Sequence, residues 1–209
     1  MLDNKGFDEW AGDYDKSIER YSKGYPFEGY YKVLSYVQEL VEINEEVRIL
    51  DLGIGTGLLT NELYKKGGEI YGIDFSNKMI ELAKKKIPNG KFYCCDFKFG
   101  LTEKLKDETF DYIVSSYAIH HITDKEKVNL IKEMEKKLSQ NGKIVIADVA
   151  FETKEKMIEC KTNSKNSWDD DEIYMVAADI ISEINRLGLE VKYTQISSCA
   201  GVFEISRDL

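Results

Sequence analysis

Three glycines stand at alternate positions after an apolar run, in a segment that reads Asp51-Leu52-Gly53-Ile54-Gly55-Thr56-Gly57. Glycine lets the backbone turn tightly and approach a ligand without a Cβ in the way, and a helix that begins here would aim its first N–H groups across the loop. The segment therefore predicts a strand, a nucleotide-binding loop and a helix. A plain strand-to-helix turn is the simpler alternative, so other parts of the chain must decide between the two.

The glycine spacing separates two classes of nucleotide-binding enzyme. A dinucleotide fingerprint, G-x-G-x-x-G, that starts at Gly53 would need its third glycine at position 58, where this chain has Leu58. The spacing does not match a loop that holds a pyrophosphate. It therefore argues against an NAD-dependent dehydrogenase.

A carboxylate follows the next apolar run at a distance that suits a nucleotide site. Asp74 ends the run 69–73, about 20 residues after the glycine loop, where doubly wound folds hydrogen-bond a ribose diol. The alternative is that Asp74 caps the helix that follows, but Ser76 or Asn77 would cap it equally well. We therefore expect Asp74 to hold the 2′ and 3′ hydroxyls.

The pattern Asp51-Leu52-Gly53-x-Gly55-x-Gly57 resembles the first motif of the class I S-adenosylmethionine-dependent methyltransferases. The resemblance covers nearly the whole chain, and it is strongest to small bacterial members of the family whose substrate is unassigned. It implies S-adenosyl-L-methionine as the cofactor and S-adenosyl-L-homocysteine as the product. It also implies that Gly53, Gly55 and Gly57 border the cofactor.

The same resemblance carries over to the end of a third apolar run, 91–95. In the family an acid at this place accepts the adenine amino hydrogen, which assigns that role to Asp96. The family often has a small residue next, whereas this chain has Phe97, whose ring is expected to flank the adenine instead. An exposed turn aspartate is the alternative for Asp96.

Other candidates come from the rule that ligands of open α/β sheets lie outside the carboxyl ends of the strands. Phe75 follows the second apolar run and is therefore a candidate cofactor-binding residue. The segment 110–122 resembles the family motif in which backbone near Ser116 borders the methionine part of the cofactor.

His120 and His121 are the only histidines of the chain. As neighbours they are expected to point in different directions, so they do not form an i, i+4 metal pair. One of them could face the pocket as a base, although a structural role at a helix end or sheet edge is the favoured interpretation. A metal site of His120, Asp148 and Asp124 has no supporting spacing, and no metal is predicted.

The N-terminal segment Phe7-Asp8-Glu9-Trp10-Ala11-Gly12-Asp13-Tyr14-Asp15 resembles the opening of many small-molecule methyltransferases, whose first helix folds over the cofactor. On that resemblance Tyr14 touches the cofactor. Alternatively, Phe7, Trp10 and Tyr14 pack onto the sheet at helical spacing. Substrate specificity is expected in the less regular segments 21–31 and 163–171.

Short apolar runs alternate with amphipathic patterns, which predicts an α/β fold with a mostly parallel sheet. Strands are predicted at 47–52, 69–73, 91–95, 111–116, 142–148, 190–196 and 201–206, and helices at 29–42, 57–66, 77–86, 125–138 and 172–187. The last two strands are joined by a short link and so form an antiparallel hairpin. A seven-stranded sheet that ends in such a hairpin is the three-layer, Rossmann-like methyltransferase fold. Residues 1–209 are expected to form one domain, with 1–45 as a helical cap and 46–209 as the core.

The composition of the chain limits the classes of binding partner that it can have. The chain has 38 acidic and 29 basic residues and a formal charge of −9, which disfavours nucleic acid and anionic membranes. Its four cysteines show no metal or disulfide spacing, no apolar signal region opens the sequence, and no run reaches the ~20 residues of a membrane span. Cytoplasmic localisation is therefore expected. The oligomeric state is not predicted.

These features together predict methyl transfer to a small-molecule metabolite, by in-line displacement that depends mainly on alignment. No catalytic residue is assigned; His120, His121 or Tyr117 could assist a hydroxyl or a protonated amine. The branches of the family that methylate amino groups and bases carry an Asn/Asp-Pro-Pro-Tyr motif after the fourth strand. This chain has Ser115-Ser116-Tyr117-Ala118 there, which argues against those branches. A non-catalytic S-adenosylmethionine-binding sensor or assembly factor is the alternative.

Overall fold

The structure is a computed structural model, and it describes residues 8, 11–44 and 46–208. Phe7 and Trp10, which the sequence pairs with Tyr14 in an alternative packing, lie outside the described residues. None of the helices in this part of the chain has the length and apolar character needed to traverse a bilayer.

A mostly parallel sheet forms the centre of the fold. Its strands are β1 (Arg48–Leu52), β2 (Glu69–Asp74), β3 (Lys91–Cys94), β4 (Phe110–Ser116), β5 (Leu138–Phe151), β6 (Met175–Val176), β7 (Leu189–Gln195) and β8 (Ala200–Arg207). The order across the sheet is β3-β2-β1-β4-β5-β8-β7, and β6 pairs with β5 beside this path. Strands β1 to β5 are parallel, whereas β8 is antiparallel to both β5 and β7. The predicted parallel sheet with a terminal antiparallel hairpin is confirmed.

Helices cover both faces of the sheet. They are α1 (Tyr14–Tyr21), α2 (Tyr30–Leu40), α3 (Leu58–Lys65), α4 (Asn77–Lys86), α5 (Asp124–Glu135), α6 (Lys154–Asn163) and α7 (Ala177–Asn185), with 3-10 turns at Phe97–Phe99, Glu103–Leu105 and Ile119–His121. Side chains of α2 and α3 join one apolar cluster, and those of α5 and α7 join another. Along β5, Val145 and Ala147 belong to the first cluster, while Ile144 and Ile146 belong to the second. This alternation builds three layers.

Strand β5 is longer than the predicted 142–148, because it begins at Leu138 and ends at Phe151, and Gly142 lies inside it. Helix α5 stops at Glu135, three residues before the predicted limit. The pairing of β4 with β5 shifts register between Phe110 and Tyr112, and a Cβ on Gly142 would lie 2.9 Å from the Phe110 carbonyl oxygen. Gly142 therefore permits the close backbone approach at this irregularity.

Two further differences occur before β7. Helix α6 was not predicted, because it buries only Cys160 and so lacks an apolar stripe. The predicted helix 172–187 begins only at Ala177, because Met175 and Val176 pair with Ala150 and Phe151 and make an eighth strand.

Candidate functional site

A cavity of about 550 Å³ opens at the carboxyl ends of β1, β2, β3 and β4. Eight of the nine predicted site residues line it: Tyr14, Gly53, Gly55, Asp74, Phe75, Asp96, Phe97 and Ser116. Gly57 does not line it; this glycine is the N-cap residue of α3, and a Cβ here would meet Ile87 of the segment after α4 at 3.3 Å. Glycine at position 57 therefore allows the start of α3 to pack closely, and it does not form part of the cavity wall.

Glycine is needed at the first two glycine positions of the loop for different structural reasons. A Cβ on Gly53 would lie 2.4 Å from the Ala118 Cβ, so this glycine lets the loop pack against the segment after β4. Gly55 has a φ of +54°, and a Cβ on it would meet nothing within 4 Å. Because Gly55 lines the cavity, the space beside it is available to a ligand.

Asp74 joins the glycine loop to the end of β2. It is 5% exposed, its Oδ2 accepts a hydrogen bond from the Gly55 N–H at 2.8 Å, and its Oδ1 accepts one from the Ser76 N–H at 2.8 Å. Burial raises the pKa of Asp74 to about 6. Ser76, not Asp74, caps α4, because its hydroxyl accepts from the Met79 N–H. A carboxylate oxygen can accept more than one hydrogen bond, so Asp74 retains capacity for a diol.

A second buried carboxylate lies beneath the loop. Asp51 is 1% exposed, and its Oδ2 accepts a hydrogen bond from the Thr60 hydroxyl at 3.0 Å, whereas its Oδ1 has no hydrogen-bond partner in the described part of the chain. Burial, reinforced by the negative charge of Asp74, raises the pKa of Asp51 to about 7. Asp51 does not line the cavity, but it is close enough to Asp74 for the two charges to interact, and negative charge here suits a cationic ligand better than an anionic one.

Asp96 and Phe97 line the cavity at the end of β3. The Asp96 Oδ1 accepts a hydrogen bond from the Lys98 N–H at 2.9 Å and so caps the short 3-10 turn, while the side chain stays exposed. Phe97 is 8% exposed and packs into the sheet core. The two interpretations of Asp96 are therefore compatible, because one oxygen serves the turn and the other is not used in it.

Three tyrosines that contact one another lie in one part of the cavity lining: Tyr14, Tyr30 and Tyr117. Tyr14 and Tyr30 share a hydrogen bond, and the Tyr30 ring stacks on Tyr117 at 4.7 Å between centroids. Tyr117 has a φ of +51°, and its buried hydroxyl has no hydrogen-bond partner among the described residues. Burial raises the pKa of all three phenols, so each is neutral at physiological pH. Tyr117 is thus a hydrogen-bonding group rather than the base that the sequence allowed. Tyr30 was not predicted at the site.

Helix α1 is fixed over the glycine loop by its second residue. The Asp15 Oδ1 accepts a hydrogen bond from the Thr56 hydroxyl at 2.6 Å, and the Asp15 Oδ2 pairs with the Lys86 ammonium at 2.7 Å. These contacts hold Tyr14 against the cavity. Lys86 lies in the last turn of α4, where a cation suits the helix dipole, and no local pattern reveals its longer-range contact.

The two histidines do not diverge as predicted. The tight 3-10 turn brings their rings to 4.1 Å, and only His121 lines the cavity. His120 is buried, and its Nδ1 lies 2.6 Å from the Asp148 Oδ1. Burial opposes protonation of His120, but the charge of Asp148 raises its pKa, whereas burial lowers the pKa of His121 to about 3. His120 therefore has the structural contact, and His121 is the neutral imidazole at the cavity wall.

The two segments expected to carry specificity meet each other. The Tyr25 ring stacks on Trp168 at 4.9 Å, and the Asp169 N–H donates to the Tyr25 hydroxyl at 3.3 Å. Tyr25 also shares a hydrogen bond with Tyr174. Of these residues none lines the cavity, to which segment 21–31 contributes Tyr30.

Comparison with known proteins places this geometry in a family. A family model described as "Methyltransferase domain" matches residues 43–195. An uncharacterized methyltransferase of Geobacillus kaustophilus is 33% identical over 207 residues, which cover 95% of this chain and 94% of that protein. One of Oceanobacillus iheyensis is 40% identical over 151 residues, covering 71% and 68%.

Solved structures share the fold at low identity. A DhpI–SAH complex has a TM-score of 0.73 at 15% identity, covering 98% of this chain and 94% of that one. Magnesium protoporphyrin IX methyltransferase from Synechocystis PCC 6803 with bound SAH has a TM-score of 0.66 at 16% identity, covering 100% and 89%.

Proposed function

The chain belongs to the class I S-adenosylmethionine-dependent methyltransferases, and we propose that it transfers the methyl group to a small-molecule metabolite. The observation that carries this proposal is the aromatic end of the cavity. Tyr14, Tyr30 and Tyr117 enclose it, so an acceptor must fit between these rings and the cofactor. A small molecule can enter such a space whole, whereas a macromolecule would have to insert a single side chain or base.

We assign the cofactor to the predicted residues that line the cavity. Asp74 accepts from the ribose hydroxyls, Asp96 accepts from the adenine amino group, and Phe75 and Phe97 contact the adenine. The loop at Gly53 and Gly55, with Ser116 and Tyr14, borders the methionine part, while Gly57 acts through the start of α3. The single-domain division, with residues 1–45 as a cap, stays a prediction alongside these roles.

The residues present fit S-adenosylmethionine. The open space beside Gly55 accommodates a ligand backbone, and Asp74 has acceptor capacity left beyond its bonds to Gly55 and Ser76. The buried carboxyl groups of Asp51 and Asp74 favour a ligand that carries positive charge. When bound, this cofactor supplies a methyl group already activated on a sulfonium.

The chain's own contribution is then orientation and exclusion of water. Tyr30 and Tyr117 stack over the acceptor end, and the contact of Asp15 with Thr56 keeps α1 in place above the loop. Neutral phenols can orient an acceptor hydroxyl or amine through hydrogen bonds. Alignment of nucleophile, methyl and sulfur in a dry cavity is the main requirement of this reaction, so no dedicated base is needed for a neutral amine or a thiolate.

The net charge of −9 also supports a small acceptor, because an acidic protein repels nucleic acid unless basic residues gather on one surface. The lysine pairs and triplets of this chain lie toward the ends of helices, among them Lys84, Lys85 and Lys86 in the last turn of α4. They are therefore spread over separate elements rather than collected on one.

The experiment that tests the proposal is a transfer assay with methyl-labelled S-adenosylmethionine. A cell extract is divided by ultrafiltration into a small-molecule filtrate and a retentate of protein and nucleic acid, and each fraction is incubated with the wild-type protein and with Gly55→Val. We expect label to appear in a filtrate compound with wild-type protein only. Transfer confined to the retentate would overturn the small-molecule proposal.

A further inference from the structure

Outside the proposed cofactor contacts, three potential metal ligands come together, and one of them, His121, lines the cavity. They are His120 and His121, on the 3-10 turn after β4, and Glu172, just before β6. Each offers one ligand atom, and these atoms all lie within 4.8 Å of one another. We propose that His120, His121 and Glu172 bind one divalent transition-metal ion of the Zn²⁺ type.

The distance between two of these groups fits a shared ion better than a hydrogen bond. The His120 Nε2 and the Glu172 Oε1 are 3.6 Å apart, which exceeds the usual 2.7–3.2 Å of an N–H···O bond. Two ligands on a tetrahedral zinc, each about 2.1 Å from the ion, are roughly 3.4 Å apart. The remaining ligand pairs lie within 4.8 Å, so they must approach to roughly 3.4 Å when an ion binds.

The neighbours of the ligands are those that orient metal-binding side chains. The Asp148 Oδ1 lies 2.6 Å from the His120 Nδ1, which leaves Nε2 as the ligand atom. The Tyr174 hydroxyl donates to the Glu172 Oε2 at 2.7 Å, so the other carboxylate oxygen is directed to the ion. Carboxylate partners of ligating histidines and hydrogen-bonded ligating carboxylates are recurrent features of metal sites.

The local charges leave room for a cation. Asp148 and Glu172 are two carboxylates, and the nearest buried cation, Lys127, bonds to Asp124 and to the Ile173 carbonyl. With both imidazoles neutral, the three carboxylates of Asp148, Glu172 and Asp124 and the one ammonium of Lys127 carry a net charge of −2, which one divalent ion would neutralise.

Three protein ligands leave at least one coordination position open, as in catalytic zinc sites. Since His121 lines the cavity together with Tyr117, we place that open position toward the acceptor end. An acceptor with an oxygen or sulfur donor, such as a hydroxyl or a thiol, would fill it. This last step rests on the proposed function, whereas metal binding itself does not.

The test measures metal binding without cofactor or acceptor. Untagged protein is stripped with a chelator, dialysed, and titrated with Co²⁺ by visible absorption and with Zn²⁺ by calorimetry, with Mg²⁺ as the hard-ion comparison. We expect one Co²⁺ or Zn²⁺ per chain, the strong visible bands of a four-coordinate Co²⁺, and no binding of Mg²⁺ in the same concentration range.

Variants locate the ion. Glu172→Gln and His121→Ala are expected to lose at least tenfold in Zn²⁺ affinity and to lose the Co²⁺ bands, and Tyr174→Phe to lose about tenfold as an orienting partner. Glu190→Gln, on the exposed side of β7, is the matched control. Thermal unfolding of each variant checks that it is folded. Absence of Co²⁺ bands in the wild type, or equal affinity in Glu172→Gln, would overturn the proposal. Metal binding together with transfer confined to the retentate would support the ion and refute the small-molecule acceptor.

Discussion

The Asp15 carboxylate accepts a hydrogen bond from the Thr56 hydroxyl at 2.6 Å, across 41 positions of the chain. Thr56 is a residue of the glycine loop and Asp15 is in the first turn of α1. The same carboxylate pairs with Lys86 at 2.7 Å, so one side chain joins α1, the loop and the end of α4. The helix that carries Tyr14 is therefore attached to the element that would hold the cofactor.

This attachment predicts that Asp15→Ala weakens cofactor binding without contacting the cofactor. Loss of the two contacts frees α1, and Tyr14 no longer closes the cavity. We expect the Kd for S-adenosylhomocysteine in calorimetry to rise by about five- to tenfold, equivalent to roughly 1–1.4 kcal/mol. Asp13→Ala is the matched control, because Asp13 is an exposed acid next to α1 that makes no side-chain cap. Equal affinities of the two variants would refute the role of the attachment.

Asp74 predicts a pH dependence of binding. Burial raises its pKa to about 6, so the carboxylate is ionised above that pH and accepts from the ribose hydroxyls. As the pH falls through about 6, protonation removes acceptor capacity, and the affinity for S-adenosylhomocysteine should fall. Asp74→Asn should bind more weakly at pH 8 and lack this decline, whereas Asp74→Ala should lose about 1.5–3 kcal/mol of binding free energy. A parallel pH profile in wild type and Asp74→Asn would remove Asp74 from the site.

Gly55→Val should abolish cofactor binding, because its branched side chain would occupy the open space beside the loop at a φ of +54°. Backbone strain alone would also lower stability, so a control is needed. Gly188→Val introduces the same residue at a φ of +78°, again with nothing within 4 Å, at a position that does not line the cavity. Both variants should unfold at lower temperature, and only Gly188→Val should retain a thermal shift with S-adenosylhomocysteine. Retained binding in Gly55→Val would contradict the assignment of the loop.

Tyr117→Phe removes a buried hydroxyl that has no hydrogen-bond partner among the described residues. An unsatisfied buried polar group costs about 1–3 kcal/mol, so the variant should be at least as stable as the wild type in urea unfolding. Since the proposed role of the hydroxyl is to orient the acceptor, KM for the acceptor should rise several-fold while the Kd for S-adenosylhomocysteine stays constant. Destabilisation without a change in KM would indicate a purely structural hydroxyl.

The parts of the site that were predicted are those written in local sequence. Gly53 and Gly55 follow their strand directly, and Asp74 and Asp96 each end an apolar run, so strand position alone places them at one edge of the sheet. The β7–β8 hairpin could also be predicted from the sequence, because the short link between its strands permits only antiparallel pairing.

The parts that were missed depend on contacts between distant residues or on turns that periodicity does not show. The approach of Glu172 to His120 and His121 depends on the pairing of β6 with β5. Strand β6 has only two residues, too few for a sequence pattern that would predict it. The convergence of the histidine rings follows from a 3-10 turn, whereas neighbours in an extended chain would point apart.

Asp51 predicts how the stability of the protein without cofactor varies with pH. Burial raises its pKa to about 7 from an ordinary value near 3.8, so the folded state retains a proton that the unfolded chain has lost. The free energy of unfolding should therefore fall as the pH rises from about 4 to 7, by at most ~1.4 kcal/mol per pH unit from this group. Asp51→Asn keeps an oxygen for the Thr60 hydroxyl and removes the ionisation, so urea unfolding should show a flatter profile and higher relative stability at pH 8. If both proteins lose stability equally over this interval, another group is responsible.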